Sequence, residues 1–286
     1  MIDLSNPNAI KKIINSNNFH FKKSLGQNFL INPDVCPRMA EIATSDGIEG
    51  VLEIGPGIGV LTVELAKQAK RVVTIELDEN LKPILSKTLA DYDNTEVVFG
   101  DCMKLDLQKL IKEKFGDMKV AVCANLPYYI TSPIIMSLLE SNLPIHSITV
   151  MVQKEAAERI CATVGSRDAG AVTVAVNYYS EAEIVFDVDR DSFMPPPNVD
   201  SAVISLKLRK EPPINISNPN KFFSLVKASF SQRRKTLANS VASVLGKDKK
   251  IILEALEKSN IDANIRAEKM TMEQYETLFN NLEHYI

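Results

Sequence analysis

Three stretches of this 286-residue chain place glycines and acids where apolar runs end. "VLEIGPGIGVLT" (51–62) carries Gly55, Gly57 and Gly59 between an apolar run and a helix-like segment. Glycines there permit a tight turn and let a ligand approach the backbone closely at Gly55 and Gly57. Their G-x-G-x-G spacing differs from the dinucleotide pattern G-x-G-x-x-G, and the loop lacks the Lys and Ser/Thr of a Walker sequence. Glu76 closes the next apolar run, 21 residues after Gly55. An open parallel sheet offers a carboxylate to a ribose diol at that distance. Asp101 closes the third run in "VVFGD", placed to accept a hydrogen bond from an adenine amino group. Singly, each acid reads as a solvated strand-end residue. In series with the glycines they outline an adenosine pocket with no provision for phosphate, which points to S-adenosylmethionine as cofactor rather than ATP.

A fourth run ends differently. "CANLPYYITSP" (123–133) stops at Asn125, Leu126, Pro127 and Tyr128, with a second tyrosine at 129. A turn has use for the amide or the proline but none for two adjacent rings. If the first three strands hold an adenosine, this exit faces the reacting end of the cofactor. Adenine N6 is a poor nucleophile because its lone pair is delocalised into the ring. The Asn125 amide oxygen and the Leu126 carbonyl can accept the two N6 hydrogens, localise that lone pair and aim it. Pro127 fixes the loop, and the Tyr128 ring can stack on the base. Such orientation supplies up to ~7–11 kcal/mol of barrier lowering, and no strong base is needed. Alone, the four letters read equally well as an ordinary Asn-Pro-like turn.

These residues need a frame. From residue 51, the Val- and Ile-rich runs "GVLEIG", "RVVTIEL", "TEVVFGD", "MKVAVCANL" and "HSITVMVQ" alternate with stretches of helical length. That pattern predicts a parallel sheet covered on both faces. "AVTVAVNYYSEAEIVFDV" (171–188) and "DSAVISLKL" (200–208) read as strands at an antiparallel edge, and "RKEPPINISNPN" (209–220) as a linker before helices. The expected organisation is an α/β catalytic domain over 1–208, including an N-terminal extension, and a small all-helical domain over 209–286.

Composition is that of a soluble globular protein, 45% hydrophobic and 24% charged, without an apolar run long enough to span a membrane. The N-terminus lacks a signal-peptide pattern, and four scattered cysteines with three histidines give no metal-ligand spacing. A cytoplasmic location and no metal are expected. The net charge of −3 does not advertise a polyanionic partner, but it is unevenly spread. Residues 191–286 carry 14 basic and 11 acidic side chains, against 19 and 25 in residues 1–190. Lys11 and Lys12, Lys22 and Lys23, and Arg233, Arg234 and Lys235 are the chief basic clusters; the last is expected on a helical surface, and an isolated RRK reads as a solvated charged face.

Seven stretches together carry a family resemblance: "KKSLGQNFLINP" (22–33), "VLEIGPGIGVLT" (51–62), "IELDENL" (75–81), "GDCMKLDL" (100–107), "NLPYYITSPI" (125–134), "FMPPPNVDSAV" (193–203) and "FSQRRKTLANS" (230–240). Over nearly its whole length the chain resembles the KsgA/RsmA family, the ribosomal RNA small-subunit adenine dimethyltransferases. The resemblance implies a class I, Rossmann-like methyltransferase sheet with a helical C-terminal domain. It implies two methyl transfers to N6 of each of two adjacent adenines, in a loop near the 3′ end of 16S rRNA in the 30S subunit. It also implies cofactor contacts from Asn28 and Leu30, Gly55 against the methionine part, Glu76 on the ribose, Asp101 on the adenine, and Asn125 at the methyl and target. Phe193 becomes a second stacking surface for the target base, although it reads as well as a core aromatic before a proline turn. The resemblance turns Arg233, Arg234 and Lys235 into rRNA contacts, with Lys22 and Lys23 as a further basic surface. Asn198 and Ala238 stand where relatives carry Lys and Arg, and Tyr129 where many carry a smaller polar residue.

Two rival functions remain in view: a large-subunit (23S) adenine dimethyltransferase of the antibiotic-resistance type, and a ribosome assembly factor that only binds. The sixth and seventh stretches favour the small-subunit branch, and a complete catalytic set argues against binding alone. The expectation is a monomeric cytoplasmic enzyme that uses S-adenosylmethionine on 16S rRNA, doubling as a late assembly checkpoint.

Overall fold

Parallel strands cannot be joined by tight hairpins, so the chain must leave the sheet and return through a crossover between each pair. The computed structural model describes residues 4, 6, 8, 9, 12, 13, 29–232 and 234–286. Its strands are β1 (Phe29–Leu30), β2 (Gly50–Ile54), β3 (Arg71–Glu76), β4 (Thr95–Phe99), β5 (Val120–Asn125), β6 (Ser147–Gln153), β7 (Ser180–Val188), β8 (Phe193–Met194) and β9 (Ser201–Leu208). β1 and β8 form a short antiparallel pair, and the rest form one seven-stranded sheet in the order β4-β3-β2-β5-β6-β9-β7. The first five in that order pair in parallel. β9 runs antiparallel to β6, with Ser201 opposite Gln153 and Lys207 opposite Ser147.

The chain divides into two compact units, residues 1–157 with 183–208, and residues 158–182 with 209–286. In the first unit, β2, β5 and β6 are buried almost without interruption, as expected where both sheet faces are covered. Met39, Ala40 and Ala43 of the helix Val35–Ala43 pack with Val51, Leu65 and Val72 in one core cluster. Ile58, Leu81, Ile84 and Leu85 build another, which includes residues of the helix Lys82–Thr88.

The second unit differs from the expected domain at 209–286 by taking in 158–182. It also corrects the strand expected from residue 171: Ala171–Tyr179 is a helix, and the strand begins at Ser180. The Gly170 N–H donates to Thr173 Oγ1 at 2.8 Å, closing the first turn, and Thr173 Oγ1 donates to the Arg159 carbonyl at 2.6 Å. Val174, Ala175 and Val176 are all fully buried. A helix covered on every side needs no polar face, so its β-branched run looks like a strand in sequence. Aromatic packing holds this segment in the second unit. The Tyr178 ring lies 5.9 Å from Phe222 and 5.3 Å from Phe223, and Phe222 lies 5.7 Å from Phe279. These rings join it to the helices Pro219–Ser229 and Met272–Leu282. The helices Leu237–Leu245 and Lys249–Lys258 complete the unit.

Gly59 opens the helix Val60–Gln68 with φ at +93°, and a Cβ there would stand 3.1 Å from Thr88 Oγ1 and 3.3 Å from Leu89 Cδ2. Gly59→Ala should therefore destabilise the protein by about 1–3 kcal/mol. In urea denaturation this should appear as a lower midpoint with an unchanged slope.

Candidate active site

The strand order fixes where a ligand can sit. From β2 the chain moves outward through β3 to β4, then returns to the other side of β2 with β5 and β6. The loops leaving β2 and β5 therefore diverge, and a crevice opens at the carboxyl ends of the strands. Gly55 and Gly57, Glu76, Asp101, and Asn125 to Tyr128 all line this one cleft, joined by Leu30 and Phe193 from the β1–β8 pair.

Each exit contributes a distinct group. Gly55 has φ at +71°, and a Cβ there would meet nothing within 4 Å, so the loop leaves open space where a ligand can approach. Glu76 is 6% exposed; its Oε2 accepts from the Gly57 N–H at 3.2 Å and its Oε1 from the Asp78 N–H at 2.8 Å. Burial raises its pKa, against the lowering effect of these backbone bonds. A carboxylate has about four lone-pair sites, so these bonds do not exhaust its capacity to accept from a ligand. Asp101 Oδ1 accepts from the Met103 N–H at 3.0 Å, and Lys104 Nζ stands 3.4 Å from Oδ2. Leu77, next in the chain to Glu76, also lines the cleft and is 55% exposed.

Beyond half-buried Asn125, the Leu126 N–H donates to the Met151 carbonyl at 3.3 Å. Tyr128–Ile130 forms a single 3-10 turn, in which the Ile130 N–H reaches the Pro127 carbonyl at 3.1 Å. Tyr128 is half-buried and Tyr129 is 60% exposed. Phe193, 3% exposed and opposite Leu30 in register, packs in the core cluster with Leu30 and Met39. It lines the cleft from the core side.

Glu53 was not singled out among the sequence candidates. It is 1% exposed, lines the cleft from β2, and accepts from Thr62 Oγ1 at 2.6 Å. Burial pushes its pKa up to about 7. The signal was present in "VLEIG", where a single acid interrupts a strand that must be buried on both faces.

Asn28, Lys11, Lys22, Lys23 and Arg233 lie outside the described residues. Arg234 and Lys235 are exposed, but they occupy the turn between the helices Pro219–Ser229 and Leu237–Leu245 rather than the expected helical face. Thr236 stands at the N-cap position of the second of these helices, without a side-chain capping bond, and the basic residues lie ahead of it. Ala238 is fully buried, so its small side chain meets a packing need there, whereas Asn198 is exposed. Cys36 and Cys123 are buried in the core, and burial raises both thiols' pKa values. Among the described residues no group of His, Cys, Asp or Glu could hold a metal ion, and no helix is long and apolar enough to cross a membrane.

A parallel sheet extended by antiparallel β9, with a glycine loop and strand-end acids at its switch point, defines a methyltransferase of the Rossmann-like class. Residues 18–284 match the family model of the ribosomal RNA adenine dimethylases, and the chain belongs to that family. It is 47% identical over 285 residues to the ribosomal RNA small subunit methyltransferase A of Bacillus pumilus (strain SAFR-032), covering 98% of each chain. The protein of that name from Clostridioides difficile (strain 630) is 47% identical over 277 residues, or 97% of this chain and 96% of that one. A dimethyladenosine transferase from Plasmodium falciparum superposes with a TM-score of 0.72 at 28% identity, over 89% of this chain and 97% of that one. The 23S rRNA methyltransferase ErmE superposes with a TM-score of 0.65 at 30% identity, over 90% of this chain and 100% of that one.

Because folding favours protonated Glu53, the resulting stabilisation is complete below about pH 4.5 and is lost as pH rises through about 7. Glu53→Gln can still accept from Thr62. Its stability should match the wild type near pH 4 and exceed it by about 1–3 kcal/mol near pH 8. Urea denaturation across a pH series checks the crossover.

Proposed function

We propose that the protein dimethylates N6 of two adjacent adenines in a loop near the 3′ end of 16S rRNA in the small ribosomal subunit, with S-adenosylmethionine as donor. One observation carries this reading: the glycine loop, Glu76, Asp101 and the Asn125–Tyr128 stretch converge on a single cleft. Sequence supports the choice of RNA, since identity is 47% to a small-subunit methyltransferase and 30% to the 23S enzyme ErmE. On this reading the enzyme works in the cytoplasm as a monomer, and its binding to the maturing subunit also serves as an assembly checkpoint.

The cleft suits this cofactor. Its lining contains Glu53, Glu76 and Asp101 but, among the described residues, no Lys, Arg or His. That donor set favours a cationic nucleoside and disfavours a polyphosphate. When bound, S-adenosylmethionine supplies an electrophilic methyl group. Glu76 would accept from the ribose hydroxyls and Asp101 from the adenine amino group. Gly55 would lie against the methionine part, with Leu30 and Asn28 contributing from the N-terminal segment. The target adenine must leave its stack to enter, at a cost that is least in a loop. Tyr128 then receives its ring face, and Phe193 backs the pocket from the core side. Asn125 Oδ1 and the Leu126 carbonyl hold the two N6 hydrogens, so that the nitrogen lone pair points along the transfer direction.

Glu76→Ala should weaken cofactor binding by about 1.5–3 kcal/mol through loss of a charge-assisted hydrogen bond. Asn125→Ala should keep most cofactor affinity and abolish transfer. Calorimetric titration beside a methylation assay separates the two, and near-normal turnover by the Asn125 variant would refute the proposed aiming of N6.

The partner has its own test. Arg234 and Lys235 are exposed in the helical unit, where phosphate contacts would release counterions. The combined Arg234→Glu, Lys235→Glu variant should bind small subunits more weakly, with a salt slope shallower by roughly 0.7–0.9 log units per lost contact. Its affinity for S-adenosylmethionine should not change. An unaltered slope would place the RNA surface elsewhere.

A further inference from the structure

The hydroxyl of Tyr128 is tied to the first residue of β9, the antiparallel neighbour of β6. It shares a hydrogen bond of 2.8 Å with Ser201 Oγ. Ser201 is fully buried, begins β9, and stands opposite Gln153 of β6. The residue before it is fixed as well: the Asp200 carbonyl accepts from the Lys154 N–H at 3.0 Å, and Asp200 Oδ1 from the Arg190 N–H at 3.1 Å. Tyr128 itself stands on one short turn, braced within the loop by the Ile130 N–H and Thr131 Oγ1, both directed to the Pro127 carbonyl at 3.1 and 3.3 Å. A well-anchored strand residue thus holds the outer end of a ring that stands two residues beyond the bond from the Leu126 N–H to the Met151 carbonyl of β6. Tyrosine has two side-chain torsions ahead of its ring. A bond at the ring's far end fixes the direction of the ring axis, which the first torsion sets. Because the phenolic C–O–H group prefers the ring plane, the bond also biases rotation about that axis.

We propose that Ser201 is a positioning residue for the methyl transfer, holding the Tyr128 hydroxyl so that the ring presents a fixed plane to the target adenine. The inference rests on the reaction proposed above and deepens it. Base–aromatic stacking tolerates offset and tilt, because every base has a π-face. In-line transfer does not, since small misplacements of the reacting atoms cost rate steeply. A ring free to tilt would still bind the base but would carry N6 away from the transfer direction. The same bond engages the Tyr128 hydroxyl inside the protein, so the RNA meets the ring's face.

Ser201→Ala and Tyr128→Phe remove this bond from opposite ends, and Tyr128→Phe leaves β9 untouched, so it reports even where Ser201→Ala folds poorly. The measurements are single-turnover methylation of unmethylated small subunits, calorimetric S-adenosylmethionine binding, and subunit binding, for both single variants and the double. Each single variant should lose roughly tenfold in rate, the order expected for one hydrogen bond. Affinities for cofactor and subunit should stay within about twofold, and the double variant should be no slower than the slower single. Rates at the wild-type level in both single variants, with only thermal stability reduced, would make the bond purely structural and overturn the proposal. So would losses that multiply in the double variant, or a slow Tyr128→Phe beside a normal Ser201→Ala, which would put the hydroxyl on the RNA. Wild-type protein that binds S-adenosylmethionine but leaves the subunits unmethylated would instead refute the reaction itself, and this inference with it.

Discussion

Parallel pairing of β4, β3, β2, β5 and β6 sends every one of these strands out of the sheet on the same edge. The glycine loop, Glu76, Asp101 and Asn125 lie far apart in the sequence, yet they share a cleft for this reason. The edge is made rigid where it matters most. Thr62 on the helix after the glycine loop donates to Glu53 on the strand before it, at 2.6 Å, so both flanks of the loop are clasped. Glu76 then takes the Gly57 N–H and ties the loop to the neighbouring strand. The loop's glycines take their positive φ without strain, and these two bonds hold the loop in that one conformation.

Charge sets the second constraint. Two carboxyls, Glu53 and Glu76, are buried at this edge, and burial raises the pKa of each. The Glu76 charge also disfavours ionisation of Glu53, and the Asp78 charge that of Glu76. Such a pair is costly where nothing compensates its charge and becomes favourable beside a cation. Tyr128 and Phe193 add the complementary apolar surface, one half-buried and one in the core.

Much of this was legible in the sequence, because the chemistry sits at strand exits and strand exits are punctuated. Gly55, Glu76, Asp101 and Asn125 each follow an apolar run and each reach the cleft. What escaped detection depended on tertiary burial. The helix Ala171–Tyr179 resembles a strand because it lacks a solvent face, so the 3.6-residue period that would mark it is missing. Glu53 hid inside a motif read for its glycines. Ser201 lies in one of the family stretches, but its meeting with Tyr128, 73 residues away, depends on the β6–β9 register, which no local pattern states. The turn holding Arg234 and Lys235 was absorbed into a helix because the flanking residues favour one.

The chain passes between its two compact units three times, at 157/158, 182/183 and 208/209. The helical unit is therefore an interleaved partner of the catalytic unit, not a tail appended to it. Removal of everything after residue 208 would not release a clean catalytic module: Tyr178 and Tyr179 would remain, stripped of the Phe222 and Phe223 rings they pack against. Exchange of RNA-contacting parts between relatives is restricted in the same way, since a graft must carry two separated segments together. During synthesis, residues 158–182 leave the ribosome well before their helical partners and must wait, with their aromatic side chains uncovered, until those partners have been made.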